Sequence, residues 1–227
     1  MTNRGVDRDI HSSTLILDDL LDIHLLVDMS TGLGGDKWPA ATGMCKLISA
    51  NAAFFGSSLF SKGKTVLELG AGTGLGGIFI TRQFKGASPK VTITDLPQYL
   101  ELIEHNIELN RVQEDCRVAP LDWCDLSSLE SFESKRYDVI LALECVYRED
   151  LYAPLIETFK NTAHDDTVIL LGVTRLFAKR VFFKMLLDSG FEYSKVPYNA
   201  LPKSIVSDTS AQDLGLFVVT KAGKQMI

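Results

Sequence analysis

The sequence predicts an α/β fold: a mostly parallel sheet of seven strands with helices on both faces. Short apolar runs alternate with longer amphipathic ones, the pattern of strands joined by covering helices. Several short runs are apolar at successive positions, so both faces of the sheet must be covered. With 227 residues and 46% hydrophobic content, the chain can build one sizeable core, and a single domain is expected.

Each element follows from its local pattern. Residues 14–27, TLILDDLLDIHLLV, fit one helix or two short strands around DDLLD, and periodicity does not choose. After Trp38-Pro39, AATGMCKLISANAAFF reads as a helix entered through proline in its first turn. KTVLEL (64–69) is the first strand of the main sheet, followed by a glycine-rich loop and a helix, LGGIFITRQF. KVTITDL (90–96) is the next strand, and in LPQYLELIEHNIELN the residues Leu96, Leu100, Ile103 and Ile107 fall on one helical stripe. Strands RVAPLDW (117–123) and YDVILALE (137–144) come next, and Leu151, Leu155, Ile156 and Phe159 mark another helix. TVILLGV (167–173) is a strand, and RLFAKRVFFKMLLDSGF is a helix closed by Gly190. EYSKVP (192–197) and GLFVVTK (215–221) complete the seven strands. No repeat, low-complexity tract or Pro/Gly/Ser linker interrupts them.

Charge and composition narrow the function. Twenty-three Lys and Arg against 29 Asp and Glu give a net charge of −6, which disfavours a surface built to neutralise nucleic-acid phosphates. The polar start, MTNRGVDRDIHSS, has no apolar targeting core, and no later run reaches the length of a membrane span, so an intracellular protein is expected. Cys45, Cys116, Cys124 and Cys145 form no C-x-x-C pair and the four histidines are scattered. Reduced, mostly buried thiols and no metal cluster are expected.

The chemistry concentrates after the first strand of the main sheet, in TVLELGAGTGLGG (65–77), where five of eight positions from Gly70 to Gly77 are glycine. Gly72, Gly74 and Gly77 satisfy G-x-G-x-x-G between a strand and a helix, so a dinucleotide site is a genuine competitor. Glu68 discriminates, because a carboxylate at the mouth of the loop opposes the two phosphates of a dinucleotide. S-adenosylmethionine (SAM) instead presents an ammonium and a sulfonium, which an acid attracts. A tight turn holding no ligand is the third reading.

Further polar groups gather at strand tips. Asp95 lies 25 residues past Gly70, the place of the acid that holds ribose hydroxyls, or it simply opens the turn DLP. In LDWCD, Asp122 can accept from an adenine amino group while Trp123 packs on the ring; Trp123 equally suits a core. LECVYRED leaves Glu144 and Tyr147 at the carboxyl edge of the sheet, where open α/β sheets bind ligands. Cys145, between them, points away from Glu144 by strand alternation and reads as packing. His105 and Asn106 read as surface and cap groups. Arg175 suits either a substrate-orienting role or the surface.

WPAATGMCKLI, VLELGAGTGLGG, TDLPQYLELIEHNIELN, LDW and DVILALECVY together resemble the SAM-dependent protein-lysine methyltransferases of the methyltransferase-like family 16 group, from about Thr31 to Lys221. The resemblance implies a Rossmann-like seven-stranded sheet with an antiparallel last strand. It also implies a hairpin within an N-terminal extension (1–37), ahead of the methyltransferase domain (38–227). By position it implies Trp38 beside the cofactor, Gly70, Ala71 and Gly72 along its methionine portion, with Gly74 in the same loop, and Asp95 on the ribose. Trp123 is implied at adenine and the backbone near Leu143 at the closure of the site. The family's Asp-x-x-Tyr element falls on Glu144 to Tyr147, with Glu in place of the usual Asp. One methylene displaces a carboxylate by more than about 1 Å, a distance catalysis registers; the relatives that this chain resembles in carrying Glu there include a histidine methyltransferase.

The expected function is methyl transfer from SAM to a lysine of an intracellular, cytoplasmic protein such as an elongation factor or chaperone, by a monomer without a metal. Glu144 would anchor the amine and Tyr147 wall its pocket. A histidine, small-molecule or nucleic-acid methyltransferase, a noncatalytic SAM-binding module and an NAD-dependent oxidoreductase are the alternatives.

Overall fold

The computed structural model describes residues 10–18, 21–132, 136–174, 179–206 and 214–223; Arg175 lies outside them. The ambiguous N-terminal stretch is an antiparallel pair, β1 (Ile10–Asp18) and β2 (Leu21–Asp28). Two short 3-10 turns then lead to α1 (Pro39–Ala50), which Pro39 enters at its first turn with Trp38 as N-cap. The expected single helix breaks at Asn51, whose side chain donates to the Leu47 carbonyl (2.9 Å), and α2 (Ala52–Ser58) follows.

The main sheet contains β3 (Thr65–Leu69), β4 (Lys90–Asp95), β5 (Cys116–Pro120), β6 (Tyr137–Leu143), β7 (Ala163–Val173), β8 (Phe191–Lys195) and β9 (Gly215–Lys221), in the order β5-β4-β3-β6-β7-β9-β8. The first five pair in parallel, and β9 runs antiparallel to both β7 and β8. β5 ends at Pro120, so Asp122 and Trp123 sit in the loop beyond it instead of inside a strand. The covering helices are α3 (Leu75–Gln83), α4 (Leu100–Leu109), α5 (Tyr152–Thr162), α6 (Arg180–Asp188) and the short α7 (Lys203–Val206).

Alternation along the strands divides the core in two. Val66, Val139, Leu141, Val168 and Leu170 face the helices α1, α3 and α4. Leu67, Leu69, Ile140, Ala142, Ile169 and Leu171 face α5 and α6, with Tyr152, Phe159 and Phe182 packed over them. Each fully buried Leu, Ile or Phe contributes about 1.5–3 kcal/mol relative to exposure, which explains why the central strands are apolar at most successive positions.

The hairpin is anchored to the first of these layers. Ile23 and Leu25 are fully buried in it, and the free edge of β2 is satisfied by two asparagines one turn apart, Asn106 on α4 and Asn110 at its C-cap. The Leu26 N–H donates to Asn106 Oδ1 (2.6 Å) and Asn106 Nδ2 donates back to the Leu26 carbonyl (3.1 Å). Asn110 repeats this pairing with His24. Two side-chain amides thus stand in for a neighbouring strand, leaving no unpaired backbone group at either rung. Asn106 is fully buried. It is not the surface or cap group its polarity suggests, although His105 beside it is exposed.

Candidate active site

β3 and β6 are neighbours from which the chain leads to opposite sides of the sheet, so their carboxyl ends frame the crevice in which open α/β sheets place ligands. A cavity of about 480 Å³ occupies that place. It is lined by Trp38, Glu68, Gly70, Ala71, Gly72, Asp95, Asp122, Trp123, Leu143, Glu144 and Tyr147, which are all but one of the residues singled out from the sequence. The exception is Gly74, which the structure does not bring to the cavity. It is the left-handed N-cap of α3 (φ +78°), and a Cβ there would meet Ile103 at 3.0 Å and Ile78 at 3.4 Å; the glycine serves the turn and the core.

Glu68 also departs from expectation. Strand alternation puts it on the same face as Val66, beneath α3, where its two oxygens accept the N–H groups of Gly76 (3.1 Å) and Gly77 (2.8 Å). The carboxyl is 2% exposed, and burial outweighs the two donors and pushes its pKa to about 8. At neutral pH the group is therefore largely protonated and does not act as a simple anionic lure. It still works against a dinucleotide, because it takes up the helix-terminal amides that a pyrophosphate would need.

This burial has a measurable consequence. A carboxyl with a raised folded-state pKa stabilises the fold fully below its unfolded value of 4.5 and loses that contribution as pH climbs to about 8. Wild type is expected to lose roughly 3 kcal/mol through this group between about pH 5 and pH 8, and Glu68→Gln to lose none of that share. Urea unfolding of both proteins across the range tests this, and parallel pH profiles would contradict it.

The other cofactor-side residues are held by main-chain bonds. Asp95 Oδ2 accepts from Gly72 N–H (2.7 Å) and Oδ1 from Leu96 N–H (2.7 Å); burial still raises its pKa. The edge of the Trp123 ring lies against Gly70, where an added Cβ would come within 2.8 Å of it. Trp123 also packs on the second core layer while lining the cavity. Asp122 Oδ1 accepts from Cys124 N–H (2.8 Å). Cys145, buried, donates through Sγ to the Leu69 carbonyl (3.0 Å), and burial drives its pKa well above the usual thiol value. That is packing chemistry, not a nucleophile. Among the described residues no three His, Cys, Asp or Glu side chains cluster as a metal would require.

The roof comes from the segment joining hairpin and domain. Trp38 Nε1 donates to the Leu33 carbonyl (2.9 Å). The Gly34 carbonyl lies so close to Gly72 that a Cβ on Gly72 would sit 2.8 Å from its oxygen, and the Tyr99 ring closes on Gly34 from the other side. Leu33, Gly34, Tyr99, Leu151, Thr174 and the buried Lys179 also line the cavity. None carried a sequence signal: a lysine in AKRVFF or a threonine in GVTRLF looks like any other until the chain closes around it.

At the mouth, Tyr147 is 45% exposed, and its partial burial raises the hydroxyl's pKa. Glu144, the first residue past β6, has φ +70°. Its N–H donates to the Gly172 carbonyl (2.8 Å), and its Oε1 accepts from both the N–H (3.1 Å) and the hydroxyl (2.5 Å) of Thr174. Its Oε2 is buried and has no hydrogen-bond partner among the described residues.

A seven-stranded sheet of this order, with a glycine loop at the reversal point and an acid and a tyrosine across the crevice, defines a methyltransferase of the Rossmann-like class. TYW2 from P. horikoshii, solved with MeSAdo, shares the fold at a TM-score of 0.56 and 16% identity, over 93% of this chain and 72% of that one. Several other methyltransferase structures share it too, and the chain spans 56–59% of their length; these likenesses speak for the fold alone. The chain belongs to the lysine methyltransferase family, whose pattern it matches over residues 18–189. It is similar to the mouse protein N-lysine methyltransferase METTL21A, at 32% identity over 74% of this chain and 73% of that protein. It is similar also to EEF1A lysine methyltransferase 3 of Xenopus tropicalis, at 34% identity over 62% of this chain and 58% of the relative.

Proposed function

We propose that the protein transfers methyl groups from SAM to a lysine side chain of a cytoplasmic protein, working as a monomer. An elongation factor is the first substrate to try, given the EEF1A-directed relative. The observation that carries the reading is Glu144: a carboxyl on the cavity wall with one oxygen fixed by Thr174 and the other buried with no hydrogen-bond partner among the described residues. A buried acceptor of this kind is suited to a ligand's N–H groups.

The cavity fits the cofactor. Main chain at Gly70–Gly72 permits close approach, the Trp123 ring borders the cavity with its edge at Gly70, and Asp95 and Asp122 supply acceptors; Trp38 and Leu143 complete the walls. Bound there, SAM supplies an electrophilic methyl group on a cationic sulfonium. The chain's own residues present the amine. A lysine in water has a pKa near 10.4. Walls formed by Trp38, Tyr147 and Leu151 exclude water and disfavour the ammonium, whereas the Glu144 carboxylate favours it. Glu144 therefore orients the amine, whose proton departs to water, and does not serve as a strong base.

Extract from cells lacking the protein, incubated with the purified enzyme and methyl-labelled SAM, is expected to show label on a protein band, with methyl-lysine found by mass spectrometry. Label only in RNA or in small molecules would refute the reading. Glu144→Ala is expected to reduce turnover on the order of 30-fold with SAM affinity within about twofold of wild type. Undiminished turnover would remove Glu144 from the chemistry.

A further inference from the structure

We infer that Thr174 is a positioning residue that holds the Glu144 carboxylate for the incoming group. This rests on the reading that Glu144 meets the target amine. Glu144 adopts φ +70°, a region in which a non-glycine residue needs surrounding structure to hold it. The bond from its N–H to Gly172 fixes the main chain (2.8 Å). Thr174, two residues further along the neighbouring strand's path, then fixes the side chain by donating twice to one oxygen. A free glutamate side chain samples several rotamers, and a carboxylate displaced by about 1 Å lowers rate substantially. The two hydrogen bonds to Oε1 remove that freedom and reserve Oε2, which has no partner among the described residues, for the incoming group. Thr174 and Glu144 line the same cavity wall.

An aspartate at 144 carries its carboxyl one methylene nearer the main chain, out of reach of the Thr174 hydroxyl in this geometry. Coupling between the two positions is therefore specific to glutamate. Thr174→Val keeps the side-chain shape and the backbone N–H but removes the hydroxyl donor. It is expected to slow methyl transfer to extract protein about fivefold to tenfold, with SAM affinity by calorimetry unchanged. Thr174→Ser restores most of the rate, and in a Glu144→Asp background Thr174→Val has no further effect. A readout independent of any substrate comes from NMR of the free protein. Glu144→Gln is expected to move the Thr174 amide proton upfield, because that proton no longer meets a carboxylate.

Wild-type rates in Thr174→Val, an equal loss in the Glu144→Asp background, or an unmoved Thr174 amide would each overturn the inference. If these occur while Glu144→Ala remains impaired, Thr174 alone is excluded and the role of Glu144 stands. If Glu144→Ala is fully active, both fall.

Discussion

Asn106→Ala is expected to lower the stability of the protein by about 3 kcal/mol, out of proportion to the few atoms removed. The Asn106 amide accepts from the Leu26 N–H, donates to the Leu26 carbonyl, and donates to the Thr73 carbonyl (2.9 Å). Truncation takes the partner from all three backbone groups, of which the Thr73 carbonyl is buried and the Leu26 pair part-buried, and each buried unsatisfied group costs about 1–3 kcal/mol, with partial relief as the hairpin relaxes. Thr73 lies inside the glycine loop, so the same change is expected to weaken SAM binding as well. Unfolding in urea measures the first effect and calorimetric titration the second. A loss of stability below about 1 kcal/mol would mean that water or neighbouring donors replace the amide, and that the hairpin does not depend on it.

Gly72→Ala is expected to reduce SAM affinity by about 100-fold, equivalent to roughly 3 kcal/mol. Two effects combine. Position 72 has φ +58°, where a side chain costs about 1–2 kcal/mol. The new Cβ would also lie 2.8 Å from the Gly34 carbonyl oxygen, a main-chain atom that cannot rotate aside. Either the roof lifts or the loop turns, and a turned loop carries its N–H away from Asp95. Gly63 supplies the comparison: its φ is +84°, yet nothing lies within 4 Å of an added Cβ. Gly63→Ala should therefore show only the conformational penalty in stability, with unchanged SAM binding. Near-normal binding by Gly72→Ala would mean that the roof yields easily.

The sheet could be read from the chain because its central strands are buried on both faces and therefore largely apolar; the parallel order followed from the helices between them. Residues 14–27 resisted because what makes them strands lies some 80 positions away, in the amides of Asn106 and Asn110. A clue was available, since Ile103, Asn106 and Ile107 lie on one face of α4, with Asn110 at its C-cap. A polar residue on an apolar stripe indicates a buried partner. Glu68 was recognised as an acid at the right turn, but its direction was set by the two amides of α3, and alternation with Val66 could have shown that it faces the helix. Gly74 satisfied a motif whose letters do not distinguish a glycine that makes room for a ligand from one that makes room for isoleucines. Thr174 had no signature, because its role depends on the rotamer of a residue 30 positions earlier.

The two sides of the crevice differ in kind. One, around Gly34 and Gly70–Gly72, is bare polypeptide whose contour depends on the absence of side chains; the other, with Trp38, Glu144, Tyr147 and Leu151, is made of them. On the first side a point change such as Gly72→Ala adds atoms where there is no room, whereas on the second it exchanges one side chain for another. Selection for a new acceptor has that side to work on, while the part that grips the methyl donor stays as the path of the chain made it.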